Sequence, residues 1–345
     1  MISNTNETNM ALAAYYQNIS DSEHHFEIKY FMPLQGGADH IMYTFNLIDG
    51  KDIQPSVLRL FKWSDAAEFE YKVMETLGHN GIPVPKVFIL EHDANYLGYP
   101  FMIMEKIKGN SLANVIISKA TDSGWFTSSE STSLCKQFAG LLATLHGLDC
   151  QGLGLAFLKP SKWSIETIVA SFSSPVNLEL AARFEEIKNL FERCLAQVPK
   201  SVNPKRVILH GDYHPHNVMV YGDKVLAVID WTDTCIGEAA IDVSWVNLLF
   251  YMLGAEDLIN QFIVEYKRCS GRELTNLTLC DVIAGLRMLV FLFSIMSVGG
   301  LNSSFRSDAV FGVDINKSLG RLFGFIYQKT GIDISNVVRY KPQTS

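Results

Sequence analysis

Residues 207–231 read VILHGDYHPHNVMVYGDKVLAVIDW. Two apolar runs, Val207–Leu209 and Val225–Ile229, flank a polar cluster and a Tyr221-Gly222-Asp223 turn. An apolar run that breaks into Gly-Asp and reaches Asn five residues later reads as a loop leaving a strand. A second run ending in Ile-Asp-Trp sets a carboxylate at the mouth of another strand. Polar loops that leave a rigid frame are where function concentrates. Taken singly, Asp212 could cap a turn and Asn217 could start a strand. Taken with Asp230 they form a set of oxygen ligands at fixed offsets. His210, His214 and His216 beside Asp212 also match a zinc-ligand set, as in a metallohydrolase, but that reading gives Asn217 and Asp230 no role. His210 and His214 are instead expected to brace the loop through backbone hydrogen bonds, and His216 to be solvated.

Phosphoryl transfer needs this spacing. One carboxylate orients the attacking hydroxyl, while an amide oxygen and a second carboxylate hold the magnesium that bridges the nucleotide phosphates. Asp212 fits the first role, Asn217 and Asp230 the second. His-Gly-Asp-x-x-x-x-Asn followed by Ile-Asp-Trp is similar to the protein-kinase catalytic loop and metal-binding Asp, with Gly in place of Arg. It most resembles the aminoglycoside phosphotransferase family, relatives of choline kinase, over about residues 25–300.

Upstream, Glu27–Met32 and His40–Ile48 read as strands around Gln35-Gly36-Gly37-Ala38. A Gly-Gly turn lets backbone N–H groups approach phosphates without a Cβ in the way, and the family carries a similar loop, so Gly36 and Gly37 are candidate nucleotide contacts. Asp49-Gly50 signals a hairpin, and Ser56–Leu60 is a strand carrying Arg59. The resemblance implies that Arg59 takes the place of the kinase lysine that grips phosphates, and arginine can do so with two parallel hydrogen bonds. Lys62 is a rival that should point to the other face. Asp65–Gly78 is a helix with an apolar stripe at Phe69, Val73, Met74 and Leu77. The resemblance asks for one glutamate here to hold the cation. Glu70 is chosen, with Glu68 two places away as the alternative. Pro100–Glu105 is an apolar strand leading into a linker near 105–109, where the family's backbone contacts adenine. By resemblance these contacts are the Glu105 carbonyl and the Ile107 N–H, with Met104 behind the pocket.

Downstream of the linker the pattern turns helical. Ser131–Leu148, residues 175–197, Ala239 onward, Asp257–Cys269, Leu279–Val298 and Asn316–Gln328 read as helices. His146 reads as a packing residue. Residues 1–20 are polar and mildly helical, with no readable function, and Thr232–Glu238 reads as a loop. The resemblance implies that Asp242 ties the catalytic loop. Asp233 and Glu238 are candidate contacts for a cationic group.

The chain has 345 residues, 48% hydrophobic and 19% charged, which suits a globular protein large enough for two lobes. A net charge of −7 argues against nucleic acid and is compatible with a cationic acceptor. Six cysteines without paired spacing are expected to be reduced. The start of the chain lacks the pattern of a signal peptide. The apolar segment 282–301 is interrupted by Arg287 and reads as a buried helix, so a cytoplasmic protein is expected. The expected fold is α+β, two-lobed and protein-kinase-like, with a β-rich lobe over 1–107 and a mainly helical lobe over 108–345. The expected activity is transfer of the ATP γ-phosphate, with Mg2+, to a small-molecule hydroxyl such as that of an aminoglycoside, macrolide or amino alcohol. A long activation loop and an Ala-Pro-Glu segment are missing after Asp230, which disfavours a protein acceptor. The alternative of another class is a catalytically silent nucleotide-binding module.

Overall fold

The structure, a computed structural model, describes residues 5–19, 26–34, 41–119, 122, 124–163, 189, 192, 193, 196, 205–297 and 315–335. Gly36, Gly37 and most of the helix expected over 175–197 lie outside the described residues. The chain divides into two compact units, Met1–Gly109 with Leu226–Thr232, and Asn110–Val225 with Asp233–Ser345.

The first unit is built on an antiparallel sheet of β1 (Phe26–Pro33), β2 (Ile41–Asp49), β3 (Asp52–Leu60), β4 (Val87–Glu91) and β5 (Phe101–Glu105), in the order β1-β2-β3-β5-β4. The Asp49-Gly50 signal is realised as the β2–β3 hairpin, with Asp49 opposite Asp52 and Gly50 at φ +61°. Helix α2 (Ser64–His79) buries Ala67, Glu70, Val73, Met74 and Leu77, the one stripe that three- and four-residue spacing creates. Helix α1 (Thr5–Ile19) has a structural task that its sequence did not disclose. Leu12, Tyr15 and Tyr16 are buried in one cluster with Tyr43, Phe45, Leu58, Phe101 and Ile103 of the sheet. The Tyr15 ring meets Phe101 edge-on at 5.0 Å, a favoured aromatic geometry.

The second unit begins with β6 (Asn110–Ser111), α3 (Leu112–Lys119) and α4 (Ser129–Gly147). Ser128 starts α4 by accepting the Ser131 N–H on its hydroxyl, an N-cap. After β7 (Arg206–Leu209), β8 (Val218–Tyr221) and β9 (Lys224–Val228) come β10 (Cys235–Glu238), α5 (Ala239–Leu253), α6 (Glu256–Ser270), α7 (Leu277–Ser297) and α8 (Ile315–Thr330). The segment Thr232–Glu238, expected as loop throughout, ends in a strand. Cys235–Glu238 pairs antiparallel with β7, Cys235 opposite Leu209. Its glycine is part of the reason: a Cβ on Gly237 would lie 2.7 Å from the Leu209 side chain, so a larger residue would force that buried side chain to shift. Helix α5 is buried on nearly every side, as a helix apolar all round must be. Its lower half packs with α7 and α8 through Leu248, Leu249, Met252, Leu286, Leu322 and Phe325. Among the described residues no helix is long and apolar enough to cross a membrane.

Leu12→Ala should lower stability by about 2–5 kcal/mol, the usual cost of a leucine cavity. A urea melt reads it as a lower midpoint. A change within about 0.5 kcal/mol, the range of an ordinary surface substitution, would mean that α1 is not part of the core.

Candidate active site

The expected residues fall into two groups, one in each unit. In the first unit Arg59 sits on β3, the strand flanked by β2 and β5, and is 4% exposed. One guanidinium nitrogen is 3.0 Å from Glu70 Oε1 and the other is 3.0 Å from Asp230 Oδ1. The choice between Glu68 and Glu70 is therefore decided by direction. Two residues apart on a helix point to different sides, and Glu68 lies outward against Lys72 and His92. Lys62 is exposed. Glu70 Oε1 also accepts the Trp231 N–H at 3.3 Å, and Thr232 donates to Asp230 Oδ1 at 2.9 Å. Glu70 Oε2 and Arg59 Nε are buried without partners. Burial pushes the Glu70 carboxyl up to about 7, with Asp230 adding to the rise and Arg59 opposing it. Asp230 adopts φ +65°, a left-handed conformation costly for a residue with a Cβ.

At the end of β5, the Glu105 N–H donates to the Lys86 carbonyl at 2.8 Å and the Lys106 N–H to the Pro55 carbonyl at 3.1 Å. In extended backbone a residue's N–H and C=O point to one side, so the Glu105 carbonyl faces the β4 side of the sheet.

In the second unit the chain leaves β7 into His210-Gly211-Asp212. Asp242, buried on the first turn of α5, accepts the His210 N–H at 2.8 Å and the Gly211 N–H at 3.0 Å. His146 reaches the same carboxyl at 3.3 Å and is itself bonded to the Tyr266 hydroxyl at 2.7 Å. Gly211 is a steric necessity. It stands at φ +82°, and a Cβ there would lie 2.1 Å from the Asp233 carbonyl oxygen. The arginine of the protein-kinase motif has no room at this position.

Asp212 is surrounded by donors. Oδ1 takes the Trp245 indole N–H at 2.8 Å and Arg287 at 3.0 Å, while Oδ2 faces His214 Nε2 at 3.1 Å and the Asn217 amide nitrogen at 3.2 Å. His214 Nδ1 accepts the His216 N–H at 3.2 Å, so Nε2 is the protonated nitrogen and donates to Asp212. Asn217 also donates to the Asp212 carbonyl at 3.0 Å, which turns its amide oxygen away from Asp212. Burial alone would raise the Asp212 carboxyl, but His214, Arg287 and His210 outweigh it and hold the group well below the usual carboxylate range.

The histidines divide. His210 braces the loop by accepting the Asp212 N–H on Nδ1 at 3.2 Å. His216 is not solvated as expected: its Nε2 is buried without a partner, and burial lowers it to about 4. Among the described residues no group of three His, Cys, Asp or Glu could hold a metal ion, which leaves the zinc reading without a ligand set. Asp233 meets Lys162 at 2.9 Å, and Glu238 accepts from Asn276 at 3.0 Å. Trp245 and Arg287 were not picked out by sequence reasoning. Trp245 sits three residues after Asp242, one turn along the same face, and Arg287 was visible as the charge in an apolar helix.

This strand-turn-strand loop with its clamped glycine defines a phosphotransferase of the kinase-like fold. A profile of the phosphotransferase enzyme family (APH) matches residues 32–275, and the chain belongs to that family. The fold is that of a putative aminoglycoside phosphotransferase from Ralstonia eutropha, with a TM-score of 0.66 at 21% identity, covering 92% of this chain and 98% of the other. Aminoglycoside phosphotransferase APH(4)-Ia, in a ternary complex with ADP and hygromycin B, matches with a TM-score of 0.61 at 13% identity over 93% of this chain and 98% of its own. Among curated proteins, mouse acyl-CoA dehydrogenase family member 10 is 24% identical over 199 residues, 57% of this chain. The chain spans only 18% of the length of that relative.

Gly211→Ala should destabilise by more than the roughly 1–3 kcal/mol of the left-handed conformation alone, because the clash with Asp233 adds to it. A denaturant melt with an unchanged midpoint would show that the loop is not clamped here. For Glu70, a folded value above the ordinary 4.5 means that its contribution is present below 4.5 and is lost as pH rises through about 7. Glu70→Gln removes that dependence. The melting-temperature gap between the two proteins should therefore move in the variant's favour from about pH 5 to about pH 8. A constant gap would show that the carboxyl is not shifted.

Proposed function

We propose that this phosphotransferase moves the γ-phosphate of ATP to a hydroxyl of a small molecule. The acceptor oxygen bonds to the γ-phosphorus as the bond from that phosphorus to the bridging oxygen breaks. The hydroxyl proton passes to Asp212 and then to water, and ADP leaves with the bond's electrons. The observation that carries the reading is the fixed Asp212 carboxylate, with Asn217 bonded to it, in a chain of the phosphotransferase family. Asp212 orients the hydroxyl. Arg59, steadied by Glu70, neutralises phosphate charge. The Glu105 carbonyl and Ile107 N–H take the adenine edge, and Gly36 and Gly37 cover the phosphates. ADP in the APH(4)-Ia complex supports an adenine nucleotide as donor.

The Asn217 amide and the Asp230 carboxylate are hard oxygen donors of the kind Mg2+ accepts, so the residues present fit that ion. Bound Mg2+ supplies charge neutralisation on the phosphate oxygens. Asn217 is ready for that task because its nitrogen is committed to Asp212. A silent nucleotide-binding module would bind ATP in the same way without turnover, so turnover decides between the two.

The test is ADP release from Mg-ATP across hydroxylated acceptors: aminoglycosides, macrolides, amino alcohols and, given the name of the mouse relative, hydroxylated acyl-CoA thioesters. Asp212→Ala should keep ATP binding and lose about 100-fold or more in turnover, the scale of general acid–base catalysis. Unchanged turnover in this variant would reject Asp212 as the positioning base. Chelation of divalent ions should stop ADP release, and full activity in excess EDTA would remove Asn217 and Asp230 from the metal role.

A further inference from the structure

The two oxygens of Asp212 are bonded from different places. Oδ1 is held from outside the loop, by the Trp245 indole N–H of α5 at 2.8 Å and by Arg287 of α7 at 3.0 Å. Oδ2 is met from within the loop, by His214 at 3.1 Å and the Asn217 amide at 3.2 Å. The torsion that turns an aspartate carboxylate is broad and roughly two-fold, so the side chain does not set its own direction. The donors on Oδ1 can set it, because both are anchored. Trp245 is buried on the helix whose first turn carries Asp242. Arg287 gives its other terminal nitrogen to the Gly211 carbonyl at 2.8 Å. Its guanidinium carbon lies 3.9 Å from the Trp245 ring centre and 4.9 Å from that of Trp163, within cation–π range of both.

A carboxylate offers about four lone-pair sites, and these four donors face them, so an incoming hydroxyl must displace one. The cost differs between the oxygens. An indole has a single N–H, and pushing Trp245 off Oδ1 would leave that donor buried and unpaired, an unfavourable state. The Arg287 nitrogen, moved off Oδ1, would face Asp233 at 3.9 Å, beyond hydrogen-bond reach. Oδ2 is easier to open. Asn217 has two N–H groups, and it also donates to the Asp212 carbonyl at 3.0 Å, so its side chain stays bonded in place when Oδ2 is given up.

Resting on the phosphotransferase reading, we infer that Trp245 and Arg287 are positioning residues that hold Asp212 by Oδ1, and that Oδ2 is the oxygen that receives the acceptor hydroxyl. The step is the phosphoryl transfer already written, with its proton assigned. The hydroxyl oxygen bonds to the γ-phosphorus, the bond to the bridging oxygen breaks, ADP keeps the electron pair, and the proton passes to Oδ2 and then to water. Trp245 and Arg287 act through Asp212. With Oδ1 tied to two helices, Oδ2 presents a fixed direction to the hydroxyl, and a misplacement of about 1 Å at such a centre costs about 100-fold in rate.

The test uses the full chain, with ADP release from Mg-ATP read across the acceptor panel and in water alone, and AMP-PNP binding read by calorimetry. Trp245→Phe keeps the ring against Arg287 and removes the N–H. It should lower kcat about tenfold, the loss of one hydrogen bond to a charged group. The KM for ATP and AMP-PNP binding should not change, the signature of an interaction that acts on the chemical step. Arg287→Ala should lower kcat about 100-fold, and millimolar guanidinium, but not methylammonium, should restore part of it. Trp245→Phe, the milder change, carries the test if Arg287→Ala fails to fold. Unchanged kcat in Trp245→Phe would overturn the inference. So would a loss of AMP-PNP binding and melting temperature in step with kcat, which marks a structural role only. A rise in turnover would mean that the hydroxyl takes the donors' place on Oδ1, and would overturn it as well. The indole N–H resonance of Trp245, assigned by its loss in Trp245→Phe, gives a readout without turnover: it should shift in Asp212→Asn. An unmoved resonance would remove the clamp. A shifted resonance in a protein that releases no ADP under any condition would keep the clamp on Oδ1 and remove the kinase reading, and the proton route with it.

Discussion

A single buried carboxyl, that of Asp242, holds the loop of Asp212 in shape. Leaving β7, the chain turns so sharply at Gly211 that two consecutive backbone N–H groups, those of His210 and Gly211, face inward with no strand to bond them. Asp242 accepts both. Because Asp242 lies on the first turn of α5, the helix and the loop are set in one frame. Trp245, a turn further along the same helix, reaches Asp212 from that frame. His146 and Tyr266 complete the bonding around Asp242, so the carboxyl is buried but well satisfied, the condition for a polar network to rigidify its surroundings.

The Arg59, Glu70 and Asp230 group is of another kind. Taking charges out of water is costly, and a buried ion pair is weak evidence of stabilisation. Here the group is also incompletely bonded, with Glu70 Oε2 and Arg59 Nε left over, and Asp230 stands in a strained left-handed conformation. Under-satisfied buried charge and backbone strain together are what natural sequences keep where function requires it. They fall on Asp230, which belongs to the motif, and on Arg59 and Glu70, which only the family resemblance had pointed to.

What the sequence disclosed depended on how local the signal was. The loop of Asp212 and Asn217 was legible because its residue types and offsets are contiguous. The strands of the first unit were legible from alternation and the Asp49-Gly50 turn. Glu70 could not be separated from Glu68 because the two differ only in which side of α2 meets β3, and that depends on packing. The strand at Cys235–Glu238 was hidden by its turn-forming residues, Thr-Asp-Thr before it and Gly within it. It forms because β7 offers an edge and Gly237 allows close approach. Helix α1 has a weak pattern of its own, since its buried face is defined by Phe101 and Phe45 far along the chain. Arg287 stood out as a charge among apolar residues, but its meaning required Trp163 and Trp245, which periodicity does not connect.

The bonding of Asp212 also bears on which chemistry the loop can support. His214, Arg287 and His210 keep its carboxyl well below the usual carboxylate range, which makes it a poor proton acceptor. Abstraction of a proton from carbon would be hindered by such a group, because there the base must pull early and strongly. Phosphoryl transfer asks less. Its transition state is loose, little proton transfer has occurred when the bond to the leaving oxygen lengthens, and the work is placement and charge neutralisation. A weakly basic, tightly held carboxylate is suited to orienting a hydroxyl and receiving its proton late. The donors that lower its basicity are the same ones that fix its direction, so rigidity and low basicity have one cause.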